Sequence, residues 1–226
     1  MQKLSRLMVA LVTIVASSAT AQESCICLKC LFGQHRLVQA MSQSMAPALE
    51  PGDCRQARYI NGEFERPQYG DIVYFQHPIL EGQYVDRVLA MGGDTVQMIE
   101  GIVWLNGAPL TQVKMADYTV PYERTGPESG FPMCQNRPGI GGLCHAERFV
   151  ETAPNGRSYQ VLNISDARSD NTEEFFIPEG FVFVLGDHRD NSIDSRFSQT
   201  GPMRGVGFVP LENIIGIIQA DASPSQ

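Results

Sequence analysis

The stretch Phe175-Phe176-Ile177-Pro178-Glu179-Gly180-Phe181-Val182-Phe183-Val184-Leu185 decides the fold class. Pro178 and Gly180 cut it into two short apolar runs, neither long enough for a helix, and both are rich in the aromatic and β-branched residues that pack well on a pleated surface. Outward from it, comparable runs lie at Asp71–Phe75, Tyr84–Met91 and Thr95–Leu105, each bounded by Gly, Pro, Asn or Asp. Asn106-Gly107 after Ile102–Leu105 is a hairpin signal, because both residues accept positive φ, and a further strand is expected after it. The pattern predicts a mainly β, antiparallel protein.

Between Lys114 and Arg168 the sequence turns to Pro, Gly, Asn and charged residues with little alternation. The apolar density lost near Asp94 returns only at Phe175. A core discontinuous in sequence is therefore expected, made of residues 22–95 and 179–226, with a less regular β subdomain inserted at 96–178. The run Val209–Ile218 is read as a last core strand. The 226 residues, 43% of them apolar, suffice for a buried core. The net charge of −8 argues against a nucleic-acid partner.

Residues 1–21 follow the plan of a secretory signal peptide: Lys3 and Arg6, an apolar stretch from Leu7, and the ending Ala19-Thr20-Ala21. A short membrane anchor is the alternative, although the apolar stretch falls below the ~18–20 residues of a span. Export would place six cysteines in an oxidising compartment. Cys134 and Cys144 flank a Gly/Pro-rich loop and are expected to form a disulfide. Cys25, Cys27, Cys30 and Cys54 leave their pairing open, and no second Cys/His pair at zinc spacing accompanies them.

Three segments carry chemistry. Ser42-Gln43-Ser44-Met45-Ala46-Pro47-Ala48-Leu49, followed by Gly52-Asp53, holds a serine beside a proline-fixed turn, the rigid setting a nucleophile needs. Tyr84-Val85-Asp86-Arg87-Val88 lies in a strand-like run that leads to Gly93-Asp94. Gly186-Asp187-His188-Arg189-Asp190-Asn191-Ser192-Ile193-Asp194-Ser195-Arg196 is a dense polar box, and it lacks the glycine and terminal glutamate of a calcium loop. Together these segments resemble the type I signal peptidase family of serine endopeptidases. The resemblance implies an antiparallel β catalytic core with Ser44 as nucleophile. It also implies an oxyanion hole from the Ser44 N–H and the Ser42 hydroxyl, with Ser192 orienting the base. Asp187, Arg189, Asp194 and Arg196 would brace their loop by salt bridges, and His188 would be a loop hydrogen-bonder.

The departure is Asp86, which stands where the family carries its general-base lysine. An aspartate with an ordinary pKa near 3.9 is a weak base at neutral pH, and its charge would oppose a nearby oxyanion. Burial could raise that pKa, while Arg87, one residue along a strand, is expected on the opposite face. Lys3, Lys29 and Lys114 are the remaining lysines, and none lies in a matching segment. Two functions follow. One is an exported endopeptidase, periplasmic or at the outer face of the cytoplasmic membrane, that cuts precursor proteins after small-x-small residues. The other is an inactive relative that binds signal-like peptides or a partner protein as extended chains. Contact with a membrane surface fits either, and no metal or organic cofactor is implied.

Overall fold

The computed structural model describes residues 30, 33–60, 65–200 and 202–218. Residues 1–21, read as a signal peptide or short anchor, and Cys25 and Cys27 lie outside the described residues. The chain forms β1 (His35–Gln39), β2 (Cys54–Tyr59), β3 (Ile72–Gln76), β4 (Gln83–Met91), β5 (Thr95–Ile99), β6 (Ile102–Leu105), β7 (Ala108–Pro109) and β8 (Thr111–Lys114). There follow β9 (Tyr118–Pro121), β10 (Leu143–Thr152), β11 (Ser158–Asn163), β12 (Phe175–Phe176), β13 (Phe181–Leu185), β14 (Val209–Pro210) and β15 (Ile214–Ile218). Every strand pairing is antiparallel. The fold is the mainly antiparallel β protein that the sequence predicts.

A seven-stranded sheet runs in the order β1-β2-β15-β3-β4-β13-β14, so its strands come only from residues 35–91 and 181–218. Residues 95–176 supply two other sheets, β11-β10-β8 with β9 also on β10, and β12-β5-β6-β7. Asn106 and Gly107 both take positive φ, at 52° and 78°, and turn β6 into β7. The strand after this turn is only two residues long, because Pro109 lacks the N–H a longer ladder needs. The run Val209–Ile218 divides into β14 and β15, and β15 fills the gap between β2 and β3.

β13 explains why the opening stretch shows no polar alternation. Phe183 and Leu185 face a cluster shared with Leu89, Val96, Met98, Val103 and Val161, which joins the seven-stranded sheet to the inserted strands. Val182 and Val184 face the opposite cluster, with Val73, Phe75, Val88 and Ile217. A strand covered on both sides has no solvent face to mark. The Phe183 ring also meets those of Phe175 and Phe208, at centroid distances of 5.3 and 6.4 Å.

Cys134 and Cys144 are joined by a disulfide, and Cys30 and Cys54 each take part in a disulfide. Truncating Phe183, 1% exposed at the junction of the sheets, removes an aromatic from a site that cannot collapse. Phe183→Ala should lower the unfolding free energy by about 3–5 kcal/mol in urea titrations.

Candidate active site

The loop that carries Ser44 is clipped at its base. Ala40 N–H donates to the Asp53 carbonyl and Gly52 N–H to the Ala40 carbonyl, each at 2.8 Å, and Gly52 can make the closing turn because its φ is +97°. Met45 and Leu49 are the anchors, each 2% exposed and packed with Val38, Ile72, Tyr74 and Ile218. Between these anchors and the clip, Ser44 is left half-buried and Ser42 exposed. The Ser42 hydroxyl lies 3.2 Å from the Ser44 hydroxyl and 3.4 Å from the Ser44 N–H. The Ser44 N–H donates to the Ser42 hydroxyl, which itself donates to the Ser44 hydroxyl, so the two groups expected to form an oxyanion hole are bonded to one another.

Residues 186–196 meet this loop from the other side. His188 N–H donates to the Ser44 carbonyl at 2.9 Å. A Cβ on Gly186 would stand 2.5 Å from the Ser192 Oγ and 2.7 Å from the Ser44 carbonyl oxygen. Only a glycine lets the end of β13, Ser192 and the nucleophile loop come this close. Ser192 itself is buried. The pairing of Leu185 with Arg87 leads Gly186 alongside Asp86 on β4.

Asp86 is 4% exposed, and no described residue hydrogen-bonds its carboxyl. Burial pushes its pKa well above the usual carboxylate range, the nearby Asp194 and Asp187 push it further, and Arg196 opposes them. Arg87 turns elsewhere, to both Asp187 oxygens at 2.7 and 2.6 Å, to the Gly70 carbonyl and to the face of Tyr159. Folding does not bring Lys114 to the site, since its ammonium pairs with Glu147 at the surface.

Of the expected salt bridges, Arg196 pairs with Asp194 at 2.8 Å, and Asp187 reaches outside the loop to Arg87. Arg189 finds Glu151, a residue the sequence did not single out. Glu151 is fully buried on β10. It accepts from Arg189 at 2.7 and 3.2 Å, from Tyr159 at 2.8 Å and from Gln112 at 2.7 Å. Burial pushes its carboxyl up, but Arg189 and these donors hold it below its ordinary value. The inserted strands therefore hold the loop that carries Ser192. Glu151 lies 38 positions from Arg189, in a stretch that reads as irregular, and no local pattern announces the pair.

A family model described as signal peptidase, peptidase S26, matches residues 5–221. The chain belongs to this signal peptidase family. It is similar to signal peptidase I of Rickettsia typhi, 33% identical over 161 residues that cover 68% of this chain and 51% of the relative. It is likewise similar to signal peptidase I of Rickettsia canadensis, 34% identical with the same coverage. The chain thus spans about half the length of the curated relatives it matches. A solved signal peptidase I from Enterococcus faecalis V583 aligns at 21% identity and a TM-score of 0.37, covering 69% of this chain and 98% of that one.

Two outcomes test the site. A carboxyl whose pKa is raised by folding contributes its full stability below the unfolded value of 3.8 and loses it as the pH climbs toward the folded value. Asp86→Asn should therefore match wild type near pH 4 and melt at an increasingly higher temperature than wild type as the pH rises to 8, measured by calorimetry. Glu151→Ala strands a buried guanidinium and should cost about 3–5 kcal/mol in denaturant titrations.

Proposed function

We propose that this chain is a signal-peptidase-type serine endopeptidase that cuts exported precursor proteins, bound as extended chains, after small-x-small residues. Its core would be residues 22–95 and 179–226 and its inserted subdomain 96–178. It would act after export, in the periplasm or at the outer face of the cytoplasmic membrane. Among the described residues no helix is long and apolar enough to cross a membrane.

The observation that supports this reading most is the close approach of Ser192 and the Ser44 carbonyl at Gly186, with the Ser42 hydroxyl bonded to that of Ser44 and Asp86 on the adjoining strand. In the reaction, the Ser44 oxygen attacks the scissile carbonyl while its proton passes to the Asp86 carboxylate. The Ser44 N–H and the Ser42 hydroxyl hold the oxyanion, and the Asp86 proton then goes to the leaving amine. A water that gives its proton to Asp86 then attacks the acyl carbon, and that proton passes to the Ser44 oxygen as the acyl bond breaks. This chemistry needs no metal or organic cofactor. A carboxyl with a raised pKa is a better base once ionised, but fewer molecules carry the ionised form at neutral pH.

That same protonation favours a second reading. Burial, with Asp187 and Asp194 beside it, favours the protonated form of Asp86, and a neutral carboxyl cannot accept the serine proton. The chain would then bind signal-like peptides or a partner protein as an added strand without cutting them.

Cleavage of a signal-peptide substrate separates the two. As an enzyme, wild type should be slow at pH 7, speed up as the pH rises through the Asp86 titration, and lose activity as Asp86→Asn. Asp86→Lys should gain roughly 10²-fold at neutral pH, because a positioned base contributes ~10²- to 10⁴-fold. The double variant Asp86→Lys with Ser44→Ala must be silent. Wild type that stays silent at every pH yet binds the peptide would establish the binding reading instead.

A further inference from the structure

A cavity of about 150 Å³ opens directly beside Ser42. Three separate segments wall it: Met41, Ser42 and Pro51 of the nucleophile loop, Phe131 and Glu128 of the inserted subdomain, and Asn191 from the loop that carries Ser192. It is well below the roughly 300–1,000 Å³ of a small-molecule pocket and has the size of one side chain. Ser42 is part of its lining, and the Ser42 hydroxyl lies 3.2 Å from the Ser44 hydroxyl. Whatever fills it therefore sits next to the bond being cut.

The inserted wall is built in place. A Cβ on Gly126 would fall 2.4 Å from the Pro51 Cβ, so the hairpin that carries Glu128 lies flush on the nucleophile loop. Thr125 and Gly130 bridge across that hairpin. Phe131 stacks on Tyr122 at 4.8 Å and carries the Arg124 guanidinium at 4.7 Å. Met133 N–H donates to Gln43 Oε1 at 3.2 Å, next to the Cys134–Cys144 disulfide. The lining is apolar along one side, where Met41 is 48% exposed. Glu128 is the one charged residue in it. The Arg124 side chain is engaged with the Ser129 carbonyl and the Phe131 ring, and among the described residues Glu128 has no ion-pair partner.

We infer that this cavity is a specificity subsite that takes one substrate side chain adjacent to the scissile bond and selects a lysine or arginine there. The apolar stem lies along Met41 and Phe131, and the cationic head meets Glu128 at the mouth. This inference rests on the proposed peptide-binding function and adds a charge preference that small-x-small recognition does not contain.

The test uses the full chain carrying Ser44→Ala, so that peptides are bound and not cut, with fluorescently labelled ten-residue peptides that contain a small-x-small site. Each position on either side of the site is varied in turn among Ala, Leu, Lys and Glu, and dissociation constants are read by anisotropy. One position should prefer Lys over Glu by about five-fold at low salt, the size a partly exposed pair supports, and the preference should fade in 0.5 M salt. Adding Glu128→Lys should invert the preference at that position and at no other, and Met41→Ser should weaken the Leu and Lys peptides together. Peptides that bind with a profile untouched by Glu128→Lys would overturn the subsite while leaving the peptide-binding function standing. Failure of every peptide to bind would overturn both.

Discussion

Three guanidinium groups, each pinned to a buried carboxylate, determine where everything else in the site can be. Arg87 holds Asp187, Arg189 holds Glu151 and Arg196 holds Asp194, all at 2.6 to 2.8 Å and all but excluded from water. Each pair gains little over a hydrophobic alternative, yet removing either partner leaves a charge stranded. What the set provides is geometry. It ties residues 186–196 to β4 on one side and to the inserted β10 on the other, and Ser192 rides on that loop. The pairs also interlock, because the Arg196 side chain donates to the Arg189 carbonyl and Arg87 lies on the ring of Tyr159, which itself donates to Glu151.

Asp86 is the exception inside this arrangement. Every other acid near it has a cation or several donors bonded to it, whereas the Asp86 carboxyl has burial and two acidic neighbours, opposed by the charge of Arg196. A lysine that serves as general base at this place must be uncharged to accept a proton. With an aspartate, burial and the two acidic neighbours favour the protonated form, which is also uncharged.

The parts legible in the sequence were those whose signal is local. Gly186–Arg196 spells out its own loop, the Ser42–Leu49 turn carries its proline, and Asn106-Gly107 states its hairpin. The continuous apolar run of β13 also reads correctly as a strand, although it does not say that both faces are covered. Glu151 and Tyr159 were illegible because their meaning comes from partners dozens of residues away. Glu128 and Phe131 were hidden in the same manner, in a stretch whose Pro and Gly content reads as irregular until Gly126 is seen lying on Pro51. The pairing of Arg189 was equally beyond reach, since nothing near it in the chain favours Glu151 over another acid.

The position of β15 has a consequence for how the molecule comes into being. Ile214–Ile218 is the last strand among the described residues, yet it lies inside the sheet with β2 on one side and β3 on the other. Ile218 also packs in the cluster that holds Met45 and Leu49 beside Ser44. β15 must close the gap between β2 and β3 from far along the sequence, and such long-range closure is slow. Until it does, the turn that carries Ser44 lacks the Ile218 side of its packing.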